Sequence, residues 1–146
     1  MTKSSLFMKN VLIALTLLVS TAGFSADKVK IHKVAIQVSS ADPLIQKIAL
    51  NNAANVQKHY GTDNVIIEIV AYGPGLSLLT KKNPYSKRVE SMAISEIRFK
   101  ACNNTIKAVT RKKGKKPVLT PGVKITPSGV VRLMELQEQG YSYIRP

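Results

Sequence analysis

Seven consecutive residues, Val65-Ile66-Ile67-Glu68-Ile69-Val70-Ala71, are apolar and mostly β-branched, broken only by Glu68. β-branched side chains suit a pleated strand. A strand apolar on both sides needs cover on both faces, which a parallel sheet between layers of helices provides. The rest of the chain agrees. Val34 to Val38 reads as another strand. Asp42-Pro43 then opens a helix, with Asp as N-cap and Pro in the first turn. Leu44, Ile45, Ile48, Ala49 and Val56 recur at helical spacing before Gly61. Asn83-Pro84 opens a second helix carrying Val89, Met92 and Ala93, and Ile97 to Ala101 alternates as a strand. A third helix carries Ile106 and Val109, and Val123 to Ile125 is a short strand. Thr126-Pro127-Ser128 starts a last helix with Val130, Leu133 and Met134, ended by Gly140, and Tyr141 to Ile144 closes the chain as a strand. Strand and helix alternating in this way predict an α/β layered domain with a mainly parallel sheet. Lys112 to Gly122, rich in Lys, Gly and Pro, reads as a loop.

The first 26 residues stand apart. Lys3 and Lys9 precede Val11 to Val19, an apolar run too short for a bilayer, which takes roughly 20 residues. Small residues follow. A charged start, a short apolar run and small residues describe a secretory signal peptide, with cleavage between Ala22 and Ala26. The expectation is a periplasmic protein whose single domain spans residues 27–146. Removing Lys3 and Lys9 takes the basic residues from 22 to 20 against 8 acidic ones, so the net charge falls from +14 to +12. That charge favours acidic partners or anionic surfaces. Nucleic acid is not expected for an exported chain with three Phe, five Tyr and no Trp, which lacks a base-stacking platform.

Specific chemistry is sparse. A single cysteine excludes an internal disulfide, a paired redox motif and a cysteine-rich zinc site. His32 and His59 have no carboxylate at ligand spacing, so neither a metal nor another cofactor is expected. In an open parallel sheet, ligands bind beyond the carboxyl ends of the strands. Those loops are Ser39 to Asp42, Tyr72-Gly73-Pro74-Gly75, Cys102-Asn103-Asn104-Thr105 and Thr126 to Gly129. Cys102 at a helix start reads in two ways. Free backbone N–H groups and the helix dipole would favour its thiolate; alternatively it is a small packed hydrophobe, the commoner fate of a free cysteine. Tyr72, Gly73 and Gly75 likewise form either a binding loop or simply a tight turn. Arg111, Lys112, Lys113, Lys115 and Lys116 put five charges in six positions, a landing site for an acidic partner or a solvated loop. Glu68 is expected at an edge or facing a partner.

Five segments resemble the DsrE/DsrF-like family: Leu50 to Asn55, Val70 to Leu76, Phe99 to Thr105, Pro121 to Val123, and Gly140 to Pro146. The similarity covers about Lys33 to Pro146 and is greatest to a small exported subgroup. It implies a three-layer α/β/α sandwich with a five-stranded, mainly parallel sheet, assembled as trimers or hexamers. It also implies sulfur relay, in which a cysteine carries a persulfide and passes sulfur to a partner protein. Cys102 matches that cysteine, with Asn103, Asn104 and Thr105 stabilising the sulfur anion and Lys100 or Lys107 adding positive charge. Such a protein is a carrier rather than a turnover enzyme. The alternative is a non-catalytic oligomeric binding protein with a buried structural cysteine, and contact with an anionic membrane surface is a weaker third option.

Overall fold

A computed structural model describes residues 30–146; the expected signal peptide, residues 1–26, lies outside the described residues. Five strands form one parallel sheet: β1 (His32–Val38), β2 (Val65–Ala71), β3 (Arg98–Cys102), β4 (Lys124–Thr126) and β5 (Ser142–Ile144). Their spatial order is β4-β3-β2-β1-β5. Among the described residues the α-helices are α1 (Pro43–Tyr60), α2 (Ser86–Ile94), α3 (Asn103–Lys113) and α4 (Gly129–Glu138), with a 3-10 segment at Gly73–Leu79. None of the described helices is long and apolar enough to cross a membrane.

The strand order dictates the layers. Three successive connections step the same way from β1 to β4. Right-handed crossovers therefore place α1, the 3-10 segment with α2, and α3 on one face. The return from β4 to β5 runs the other way and puts α4 alone on the opposite face. The result is the expected three-layer sandwich, with unequal layers. The larger core gathers Ile36, Val38, Ile67, Ile69 and Phe99 beneath Leu50, Leu79 and Ile106. The smaller one joins Ala35 and Val70 to Leu133, Leu136 and Tyr141.

Several local expectations are realised. Asp42 Oδ1 accepts from the Leu44 N–H at 2.7 Å, Pro43 follows, and Gly61 at φ 82° ends α1. The buried stripe of α1 differs from the expected one. Gln46, Ala49, Leu50 and Ala53 face the core, while Leu44 is 62% exposed and Ile48 is also exposed. Gln46 earns its place through hydrogen bonds. Its amide donates to Ser40 O at 3.1 Å and Ser77 Oγ at 2.8 Å, and its carbonyl accepts from Asn83 Nδ2 at 2.9 Å. It thereby pins the 3-10 segment to α1. The Lys112 to Gly122 stretch is not wholly a loop, because α3 continues through Lys113 to a left-handed Gly114 cap. On α4, Val130 and Met134 are exposed, and Leu133 and Leu136 carry the packing.

Glu68 corrects a further expectation. It lies on β2, the central strand, and is fully buried. Its two carboxylate oxygens accept from Arg132 Nε at 2.6 Å and Nη2 at 3.0 Å. Arg132 Nη1 also donates to Glu135 at 3.2 Å. The pair raises the Arg132 pKa above its ordinary value, chiefly through the hydrogen bond to Glu68, with burial opposing. A bidentate guanidinium–carboxylate pair is directional as well as attractive. Here it fixes α4 on the thin face.

Losing one partner of a buried pair leaves an uncompensated charge, which costs about 3–5 kcal/mol. Arg132→Met should lower the urea-unfolding free energy by about that amount, and Glu68→Leu combined with Arg132→Met should recover most of it. Equal destabilisation by the single and double variants would contradict this account.

Candidate functional site

Because all five strands run parallel, the loops leaving β1 to β4 meet on one rim, as expected. Cys102 ends β3 and stands as the N-cap of α3. Phe99 and Ala101 belong to the larger core, so the pleat turns Cys102 toward the α4 face. It pairs in register with Thr126, the last residue of β4. Three residues later α4 begins at Gly129. Two helix N-termini, those of α3 and α4, therefore converge on one sulfur.

The residue is 4% exposed. Burial alone raises a thiol pKa, and here it is the largest single influence. The surrounding donors outweigh it together: the Thr105 hydroxyl, then the N–H groups of Thr105, Gly129 and Asn104, leave the Cys102 pKa below its ordinary value. No N-cap hydrogen bond of regular geometry closes onto the thiol. The donors instead face the sulfur where they favour its anion. Position explains their identity. An N-cap side chain reaches the N–H groups of the second and third helical residues, which are Asn104 and Thr105. Asn103 is the first helical residue, and its N–H takes no part.

Thr105 is itself oriented. The Gly73 N–H donates to Thr105 Oγ1 at 2.9 Å. With an acceptor position occupied, the hydroxyl hydrogen is free to point at sulfur. Gly73 adopts φ 53°, a left-handed conformation that costs glycine little. The loop after β2 thus acts on Cys102 through Thr105. Gly75 has a different job. A Cβ there would lie 2.1 Å from Val38 O, so glycine lets the 3-10 segment abut β1. Tyr72 is half-buried and packs against the start of α4; a Cβ on Gly129 would come within 2.9 Å of Tyr72 Cβ.

Some expected residues are not brought together. Hydrogen-bond donors, rather than Lys100 or Lys107, lower the thiol pKa. Lys100 lines a cavity of about 570 Å³ with Arg98, Lys124 and Arg132, a cavity that does not reach Cys102. Arg111, Lys112 and Lys113 occupy the last turn of α3, where cations complement the helix dipole. Cys102 sits at the other end of that helix, about 16 Å away at 1.5 Å per residue. The basic cluster is therefore a neighbour of the site rather than a wall of it. Among the described residues, no group of three or more His, Cys, Asp or Glu side chains could hold a metal ion.

Gly129, at the end of the expected rim loop Thr126 to Gly129, contributes an N–H that the sequence did not single out. Its signal was a glycine in the first turn of a helix, a place where small size serves close approach.

Because the fold lowers the Cys102 pKa, the folded protein stays deprotonated where the unfolded chain has bound its proton. The resulting stabilisation is fully present above the unfolded thiol pKa and is lost as pH falls through the folded value. Thr105→Val removes the hydroxyl donor. The pH midpoint of Cys102 alkylation should move upward in that variant, and an unchanged or lower midpoint would exclude the hydroxyl as a stabiliser of the anion.

A family model described as the DsrE/DsrF-like family matches residues 32–146. Among solved structures, a protein of unknown function from Methanobacterium thermoautotrophicum is similar at 30% identity and a TM-score of 0.70. The match covers 79% of this chain and 99% of that one. No curated protein matches the chain.

Proposed function

The chain belongs to the DsrE/DsrF-like family, and from that premise we propose that it is a sulfur carrier acting through Cys102. The observation that carries this reading is the set of donors around the sulfur, which favours an anion despite burial. A thiolate is the nucleophile in thiol exchange, and a persulfide anion on the same residue would meet the same donors.

The transfer needs no external oxidant. The Cys102 thiolate attacks the terminal sulfur of a donor persulfide, R–S–SH. A new S–S bond forms on Cys102, the old S–S bond breaks, and the donor leaves as R–S⁻ with the bonding electron pair. The terminal sulfur keeps its proton. An acceptor thiolate then attacks the outer sulfur carried by Cys102, and the Cys102 thiolate leaves in turn. Thr105, Asn104 and Gly129 hold the charge at both stages. Asn103 and Asn104 border the approach, and Tyr72, Gly73 and Gly75 shape the adjoining loop.

In this proposal the protein works in the periplasm after removal of residues 1–26, as a homo-oligomer. An acidic donor or acceptor protein docks on Arg111, Lys112, Lys113, Lys115 and Lys116. All five are exposed. A standard interface buries about 800 Å² per partner, broad enough to span from that cluster to the Cys102 rim.

A second reading is favoured by the 4% exposure of Cys102. There the thiol is structural, and the protein is a non-catalytic oligomeric binder. One experiment separates the two. The purified protein and its Cys102→Ser variant are incubated with polysulfide and weighed intact. The carrier reading expects a gain of one or more sulfur atoms that reductant removes and that the variant lacks. A folded protein that gains no sulfur, with Cys102 also silent to a small thiol reagent, would establish the structural reading.

A further inference from the structure

A groove of about 480 Å³ lies between the 3-10 segment and the end of α3, and Cys102 is not among its walls. Its lining is mainly apolar: Pro74, Leu76, Val109, Pro117 and Val118. Four lysines also line it, Lys82, Lys113, Lys115 and Lys116, and no carboxylate does. They come from three places in the chain: the residues after the 3-10 segment, the last turn of α3, and the loop beyond Gly114. The ion pairs found among the described residues belong to Arg132 and involve none of these four.

The groove is built rather than left by a loose loop. The Lys81 N–H donates to Val118 O at 2.9 Å, and the Thr120 N–H donates to Leu79 O at 2.9 Å. Thr80 and Leu119 pair as an antiparallel bridge between them. Residues 118–120 are thus stitched to residues 79–81, and the basic loop is held as one wall. Val118 is nevertheless 65% exposed, an apolar side chain presented to the groove and solvent beside the lysines. The volume lies within the range of small-molecule sites, about 300–1,000 Å³, which combine apolar walls with a few polar groups that orient the ligand.

We propose that this groove is a binding site for a small amphiphilic anion, an aliphatic or aromatic body bearing one carboxylate or sulfonate. The body would cover Val109, Pro117 and Val118, and the head would lie among the four lysines. Lysine suits this arrangement because its stem packs on apolar surface while its ammonium stays at the rim. Four like charges around an apolar hollow repel one another, and an anionic head relieves that repulsion. A neutral molecule of the same shape would gain the walls but not the rim.

Calorimetric titration of the full protein with decanoate, and separately with decanol, tests this at low and high ionic strength. Decanoate should bind at one site per chain and weaken with salt. Lys113→Glu with Lys116→Glu should cost about tenfold or more in decanoate affinity, as expected for lost charge-assisted contacts. Val118→Asn, which removes apolar wall without adding charge, should weaken decanoate and decanol alike, and Cys102→Ser should change neither. Lys113, Lys116 and Val118 are exposed, and thermal unfolding of each variant checks that it is folded. Absence of saturable decanoate binding would overturn the proposal. So would equal affinity for decanoate and decanol, or a lysine variant that binds as the parent does. Binding to vesicles rich in anionic lipid without competition from decanoate would also overturn it, in favour of a membrane-surface contact.

Discussion

The buried pair between Glu68 and Arg132 holds the thin side of this protein together. Three helical connections cover one face of the sheet, and α4 alone covers the other. A single helix on a five-stranded sheet could rock or slide with little apolar penalty. Two hydrogen bonds from one guanidinium to one carboxylate remove that freedom, since each fixes a direction as well as a distance. Arg132 lies three residues beyond Gly129. Seating Arg132 on Glu68 therefore sets where the first N–H of α4 points, and it points at Cys102. A buried ion pair is a weak source of net stability. Its value here is positional.

The rim repeats this logic at shorter range. Gln46 ties the 3-10 segment to α1, and Gly73 at the start of that segment orients Thr105. Thr105 then directs its hydroxyl and its N–H at the sulfur. The environment of Cys102 is thus assembled from the loops after β2, β3 and β4, with hydrogen bonds fixing each. Burial works against an anion, and several modest dipoles together outweigh it. The site needs no neighbouring cation, so the lysines of the chain are left for surface work. Lys113, Lys115 and Lys116 lie at the far end of α3, beside an apolar groove.

Much of this was legible in the residues. The β-branched run of β2 announced a doubly covered parallel strand, and Asp42-Pro43 and Gly61 marked the ends of α1. Cys102-Asn103-Asn104-Thr105 was readable as a helix start bearing a thiol. The misreadings share a cause, which is that hydropathy reports solvent preference and not hydrogen-bond partners. Leu44 and Ile48 looked like core, yet Gln46 is buried in their stead because Ser40, Ser77 and Asn83 satisfy its amide. Glu68 looked like an edge residue because its partner is 64 positions away in sequence. Gly129 gave little local signal, since its role depends on Tyr72, just after β2, and on Cys102, the last residue of β3. The basic segment is continuous in sequence, but its distance from Cys102 is set by the length of α3, which holds the two about 16 Å apart.

The fold itself holds the Cys102 pKa below its ordinary value. The direct measurement is the ultraviolet thiolate absorbance of the protein titrated with pH, folded and in denaturant, with Cys102→Ser as the blank. The folded midpoint should lie below the unfolded one. A folded midpoint equal to or above the unfolded one would mean that burial wins over the converging donors, and that Cys102 is a packed thiol rather than a poised one.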